Sequence, residues 1–158
     1  IFWDLGEEKS ARKIAAWISS EREKVKFERT SQLADGIEKL LGRRGRIHPA
    51  TKVFQALRME VNDELGELRR FLKVAPDLLK PGGRLAIITF HSLEDRIVKQ
   101  TFRDASKEEI DRPEWPAPQP NPLYAYKLLT RKGVATGGQE IARNSRSRSS
   151  RLRVVEKI

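Results

Sequence analysis

Cysteine is absent from the 158 residues, which excludes disulfides and thiolate metal sites and is compatible with a reducing compartment. Histidine occurs only at His48 and His91. Two imidazoles so far apart, with no thiol to help them, do not make a zinc site, so no metal is expected. No apolar run approaches the roughly 18 residues of a membrane helix, and no membrane partner is expected. Ile1-Phe2-Trp3-Asp4 has neither a basic leader nor a small-residue cleavage site, so no secretory signal is visible. An initiating methionine is also missing, and the expectation is a chain whose beginning has been lost. Neither a G-x-S-x-G elbow nor a G-x-G-x-x-G loop occurs; Gly82-Gly83 precedes a predicted strand and reads as a turn.

What the chain has in excess is positive charge. Lys and Arg number 32 against 22 Asp and Glu, a net +10, which favours a polyanionic partner, nucleic acid before membrane. The excess is uneven: between Leu128 and Ile158 eight basic residues face two acidic ones. A hydrophobic fraction of 38% supports a modest core, enough for one domain or part of a larger one.

Apolar spacing predicts a first helix from about Gly6 to Lys24, with Ala11, Ile14, Ala15, Trp17 and Ile18 on one face. A second carries Leu33, Ile37, Leu40 and Leu41, with Thr30 as its N-cap and Gly42 as its stop. The basic loop Gly42-Arg43-Arg44-Gly45-Arg46 follows. One long helix is then expected over 49–74, opened by Pro49, with an apolar stripe of Phe54, Leu57, Val61, Leu65, Leu68 and Leu72. Thr51, Gln55, Arg58 and Asn62 form a polar stripe beside it. After the Pro81-Gly82-Gly83 turn, residues 84–90 read as a strand buried on both faces, as in a parallel sheet. A helix with Leu93, Ile97, Val98 and Phe102 inward follows at once, an α/β unit. Five prolines within 111–122 rule out regular structure there, and strands are expected over 124–130 and 152–158.

Two segments carry candidate chemistry. Phe90-His91-Ser92-Leu93-Glu94-Asp95-Arg96 lies at the carboxyl end of the predicted strand, where open α/β sheets bind ligands. Ser92 capping the helix, with Asp95 completing a capping box, explains two of these side chains and leaves His91, Glu94 and Arg96 for other work. Residues 143–153 alternate arginine with small hydroxyl residues, both of which contact phosphate; because Leu152, Val154 and Val155 adjoin the run, an ordered, docked loop is expected.

Taken together, several stretches resemble the small-subunit (16S) ribosomal RNA cytosine-N4 methyltransferases of the MraW/RsmH type. They are Gly6-Glu7-Glu8, His48-Pro49-Ala50-Thr51 with Phe54-Gln55-Ala56-Leu57-Arg58, Asn62-Asp63-Glu64-Leu65, Pro81-Gly82-Gly83-Arg84-Leu85, Phe90 to Lys99, and Asn144 to Arg153. The resemblance implies the second half of a Rossmann-like methyltransferase sheet, over 48–158, plus part of a helical insertion, over 1–47, that recognises RNA. It implies S-adenosylmethionine as methyl donor, with every cofactor-binding residue expected upstream of Ile1. It implies small-subunit ribosomal RNA as partner and a cytoplasmic location, or an organellar matrix in a eukaryote, and leaves a homo-oligomer open. His91, Ser92, Glu94 and Asp95 become the catalytic candidates, orienting the base or supporting the cofactor pocket, since methyl transfer needs chiefly positioning. Arg43, Arg44, Arg46, Arg58, Arg96, Arg146, Arg148 and Arg151 are the RNA-binding candidates, and Gln55 and Asn62 the substrate-orienting ones. The alternative from another class is a non-catalytic RNA-binding or ribosome-assembly module.

Overall fold

A computed structural model describes residues 1–43, 45 and 47–158. It resolves two compact units, Ile1–Glu64 and Leu65–Ile158. Arg44 and Arg46 lie outside the described residues.

The first unit is helical: α1 Ala11–Glu21, α2 Thr30–Leu41 and α3 Thr51–Val61. α1 is shorter than its apolar spacing predicts, because residues 6–10 turn before the helix begins. α2 is capped differently from expectation. Thr30 is already helical, and the Gln32 side chain reaches back to accept from the backbone N–H groups of Glu28 and Arg29, each at 2.8 Å. Ile14, Ile37, Ala50 and Val53 are buried together, with Trp17, Ile18, Leu33, Leu40, Leu41, Phe54 and Leu57 packed around them.

Gly36 sets how closely α1 and α2 approach. A Cβ there would overlap the six-membered ring of Trp17. Gly36→Ala should therefore push the indole outward. The helix-propensity gain of about 1 kcal/mol is outweighed by repacking that costs about 1–3 kcal/mol, for a modest net loss. In a background with Trp3→Phe and Trp115→Phe, Trp17 emission should shift to longer wavelength; an unshifted spectrum would contradict the packing described.

The long helix expected over 49–74 is two helices. α3 ends at Val61, and α4 Glu64–Val74 restarts after Asn62-Asp63. Asp63 adopts φ 48°, a left-handed conformation that Asp and Asn tolerate better than other non-glycine residues. The break also resets the apolar phase. Val53, Ala56 and Met59 are the buried residues of α3, whereas Val61 is 82% exposed.

The second unit is mixed α/β. From α4 the chain passes through a 3₁₀ turn, Ala75–Leu78, to β1 Arg84–Thr89 and α5 Ser92–Asp104. Four short strands follow: β2 Glu109–Ile110, β3 Gln119–Pro120, β4 Tyr126–Leu128 and β5 Val134–Ala135. α6 Gly138–Arg143, a 3₁₀ helix Ser145–Ser149 and β6 Arg151–Lys157 close the chain. The run over 143–153, expected as one loop, is instead helix end, 3₁₀ helix and strand start. Proline does not prevent all pairing in the Pro-rich segment either: Glu109 pairs with Pro120 and Ile110 with Gln119. Buried Asn121 secures that segment, its amide donating to the carbonyls of Asp104 (2.7 Å) and Lys107 (2.6 Å).

The main sheet runs β1-β6-β4, with β5 also beside β6, and every pairing among the described residues is antiparallel. β1 is not buried on both faces. Leu85 and Ile87 pack into the core while Ile88, on the opposite face, is 58% exposed, the alternation of a half-buried strand. The core gathers Leu72 of α4, Val98 and Phe102 of α5, Tyr126 of β4 and Val155 of β6. The Phe102 and Tyr126 rings meet edge to face at 6.0 Å.

Candidate functional site

β1 ends at Thr89, and Phe90 and His91 lead into α5. Capping here reverses the expected roles. His91 is the N-cap: its Nδ1 accepts from the Glu94 backbone N–H at 3.4 Å. The Glu94 carboxylate reaches back, Oε2 accepting from the backbone N–H of Phe90 at 2.8 Å and of His91 at 3.4 Å. This reciprocal arrangement has the logic of a capping box, with imidazole in place of hydroxyl. An accepting Nδ1 requires the proton on Nε2, which lies 3.2 Å from Glu94 Oε1 but is not aligned as a hydrogen bond. Burial alone would raise the Glu94 carboxyl; the His91 side chain and the Phe90 and His91 backbone outweigh it, and the carboxyl sits below its ordinary range. Ser92 opens α5 rather than capping it.

Asp95 is not in the cap at all. Its oxygens accept from Arg153 Nε at 2.7 Å and Nη2 at 3.0 Å, a two-pronged ion pair between the first turn of α5 and β6. Arg153 is only 7% exposed. Hydrogen bonding to this guanidinium, against the penalty of burial, holds the Asp95 carboxyl below its usual range. The sequence patterns alone leave Arg153 without a role; the structure gives it this ion pair. The strand pattern gives no signal for it: Arg151, Arg153, Val155 and Lys157 alternate onto one mostly basic face, and only the tertiary structure buries Arg153 beside Val155.

Antiparallel pairing also decides where the arginine run ends up. Thr89, the last residue of β1, stands opposite Arg151, the first of β6, and its hydroxyl donates to the Arg151 carbonyl at 3.3 Å. The 3₁₀ helix carrying Arg146 and Arg148 immediately precedes that point, braced by Asn144 Oδ1 accepting from the Arg146 N–H and by the Ser147 hydroxyl donating to the Asn144 carbonyl. Arg146, Arg148 and Arg151 are exposed, as is Arg96 in the first turns of α5.

The remaining candidates belong to the helical unit. Arg58 makes a two-pronged pair with Glu64, at 2.7 and 3.1 Å, and Asn62 donates to the same carboxylate. Gln55 contacts the Met59 sulfur at 3.9 Å. Arg43 pairs with Glu38 at 3.5 Å, and His48 Nε2 lies 3.3 Å from that carboxylate. Among the described residues no cluster of His, Asp and Glu is arranged to hold a metal, and no helix is long and apolar enough to cross a membrane.

Three relatives carry the name ribosomal RNA small subunit methyltransferase H. The protein of Elusimicrobium minutum is 49% identical over 158 residues, all of this chain and 49% of its own length. Those of Mesorhizobium japonicum and Bartonella henselae are 50% and 49% identical over 157 and 156 residues, 98% of this chain and 46% and 45% of theirs. The chain thus spans about half the length of the relatives it matches. The MraW methylase family matches residues 1–158 without remainder, and by that match and these identities the chain belongs to it.

Proposed function

We propose that this chain is part of an S-adenosylmethionine-dependent methyltransferase acting on the N4 amine of a cytosine in small-subunit ribosomal RNA. Its share of that work is to hold RNA beside the carboxyl end of β1. The observation carrying this reading is the pairing of Thr89 with Arg151, which puts the start of β6 opposite the end of β1, with exposed Arg146 and Arg148 on the 3₁₀ helix that leads into it. Arginine forks suit phosphate, and the carboxyl edge of a sheet is where α/β folds bind ligands. β1 and β4 run parallel to each other with β6 antiparallel between them, and mixed sheets are common among α/β folds, so β1-β6-β4 is compatible with part of a Rossmann-like sheet, with residues 1–47 as part of a helical insertion.

The cofactor supplies an electrophilic methyl group when bound. Glu94, the carboxylate best placed to receive hydroxyl groups at this edge, is engaged by the Phe90 and His91 backbone and approached by the imidazole. No residue is therefore assigned to the cofactor. His91 and Glu94 act by fixing the turn at the end of β1, Ser92 opens the helix behind it, and Asp95 anchors it to β6 through Arg153; each contributes positioning rather than proton transfer. Arg43, Gln55, Arg58 and Asn62 would meet RNA from the helical unit, where Arg58 must exchange Glu64 for phosphate.

Replacing Arg146, Arg148 and Arg151 together with Gln should weaken single-stranded RNA binding about tenfold and reduce the log–log salt slope by roughly 2, about 0.7 for each phosphate no longer neutralised. An unchanged slope would mean that these charges only solubilise the protein. Transfer of a labelled methyl group to unmethylated small subunits by a protein containing this chain separates the enzyme from a non-catalytic RNA-binding module.

A further inference from the structure

Three tryptophans occur in the chain, and two of them are engaged. Trp17 lies against Phe27 with ring centroids 5.9 Å apart, and Trp115 has the Arg112 guanidinium over its ring at 4.8 Å. Trp3 is 65% exposed, and among the described residues neither a ring nor a cation covers it. The turn that carries it is held in place. Phe2 packs into the helical core, and buried Gly6 lies so close to α3 that a Cβ would meet the Lys52 carbonyl at 2.9 Å. The Lys52 ammonium donates to the Glu7 carbonyl at 3.0 Å. An open indole on a fixed turn leaves little ordering cost to be met on binding.

Trp3 walls a hollow of about 690 Å³ together with Lys9, Ser10, Arg12 and Lys13 at the start of α1. A second hollow, of about 320 Å³, shares Ser10 and Lys13 with it and continues to Gly42, Ile47 and Pro49, at the ends of the basic loop. Among the described residues no carboxylate lines either hollow. Among them, too, no ion pair engages Lys9 or Arg12. A third hollow of this unit, at Trp17, has Glu21 and Asp35 in its wall against Lys39 and is the wrong sign for a polyanion. Grooves for single-stranded nucleic acid stack a base on an aromatic face while cations follow the phosphates. We infer that the Trp3 groove holds single-stranded RNA, one base lying on the indole and the adjoining phosphates on Lys9, Arg12 and Lys13, with the strand running on toward Gly42 and Pro49. The inference rests on the RNA reading above and gives the helical unit its own part in it. Stacking requires an unpaired base, so the ligand is a loop or an open strand rather than a duplex. The π-face takes any base, so Trp3 sets position and leaves base identity to other groups.

Trp3→Leu removes the π-face, and Trp3→Phe keeps one. Lys9→Gln with Arg12→Gln removes two cations and spares Lys13, whose ammonium donates to the Leu40 carbonyl at 3.2 Å. The full chain is titrated with a single RNA strand of about 12 nucleotides and with an abasic ribose-phosphate strand of the same length. Trp3→Leu should bind the base-bearing strand roughly 5- to 100-fold more weakly, the range for one lost stack, with unchanged melting and unchanged abasic-strand affinity. Trp3→Phe should recover part of that loss. The double Gln variant should lose about 1.4 from the log–log salt slope on both strands, about 0.7 for each phosphate. In a background with Trp17→Phe and Trp115→Phe, Trp3 emission should be quenched by the base-bearing strand and not by the abasic one. Wild-type affinity in Trp3→Leu, or equal quenching by the two strands, would overturn the stack. So would a Leu variant whose melting temperature and abasic-strand binding fall together, which would make the indole a packing residue. An unchanged salt slope in the Gln variant would take the phosphates off Lys9 and Arg12. If the wild type binds neither strand, the RNA reading itself fails and the groove falls with it. Binding that responds to Arg146, Arg148 and Arg151 but not to Trp3, Lys9 and Arg12 would remove the groove alone.

Discussion

Arg153→Met should lower the stability of the second unit by about 3–5 kcal/mol, the usual cost of removing one partner from a buried ion pair. Asp95 would be left in a half-buried position facing a thioether, with neither prong of its 2.7 and 3.0 Å pair replaced. For a unit of this size each kcal/mol moves the melting temperature by about 4–8 °C, so the shift should exceed about 12 °C. The near-ultraviolet signal of buried Tyr126 reports the transition. Adding Asp95→Leu to Arg153→Met should recover much of the loss, because the stranded charge is then gone. A melting temperature within a few degrees of wild type in the single variant would show that the pair does not lock α5 to β6.

Acid should reproduce part of that loss in the wild type. The folded-state pKa of Asp95 lies below its unfolded value of about 3.9. The pair's contribution is therefore fully present above that unfolded value and disappears as pH falls through the depressed folded one. Between those two values the folded state binds fewer protons than the unfolded, so stability rises with pH. Arg153→Met should flatten this part of the profile; an identical acid limb in variant and wild type would assign the dependence to other carboxylates.

Glu94→Ala should cost about 2–3 kcal/mol, as expected when a charged acceptor is withdrawn from backbone donors at a helix start. Glu94→Gln keeps an acceptor oxygen and should recover part of this. His91→Asn provides the complementary measurement, since Asn is among the best N-caps and preserves the folding role of the imidazole. If His91 only caps, His91→Asn melts and binds RNA like the wild type. Weakened RNA binding at unchanged melting temperature would instead assign the ring to the substrate. Thermal melting and salt-dependent RNA binding, measured on the same preparations, separate the two. A Glu94→Ala protein that melts like the wild type would remove Glu94 from the cap.

The turn at the end of β1 shows where sequence logic misleads. Ser-x-x-Asp is a familiar capping spacing, and Ser92-Leu93-Glu94-Asp95 satisfies it. One residue earlier, His91-Ser92-Leu93-Glu94 offers the same spacing with a longer reach, and the structure uses that one. The choice is made at a distance: Arg153, 58 residues away in sequence, takes Asp95 out of the competition. The long helix fails for a local reason. Its apolar repeat runs through Asn62-Asp63 without a gap, and nothing in the periodicity marks the left-handed turn at Asp63.

Local chemistry in the sequence was enough for much else. The α2 face of Leu33, Ile37, Leu40 and Leu41, the Pro81-Gly82-Gly83 turn, the strand that follows it and the inward Val98 and Phe102 of α5 are all marked by residue spacing and turn chemistry within a few residues, although the contacts those faces make are tertiary. The motif set that marks the MraW methylases is likewise a string of local segments and needed no coordinates. Tertiary structure alone decided which strand lies beside β1 and in which direction. Strand pairing joins residues far apart in the chain, and apolar alternation is the same for parallel and antiparallel neighbours. From that one undetermined choice follow the burial of Arg153, its capture of Asp95, and the placement of Arg151 opposite Thr89.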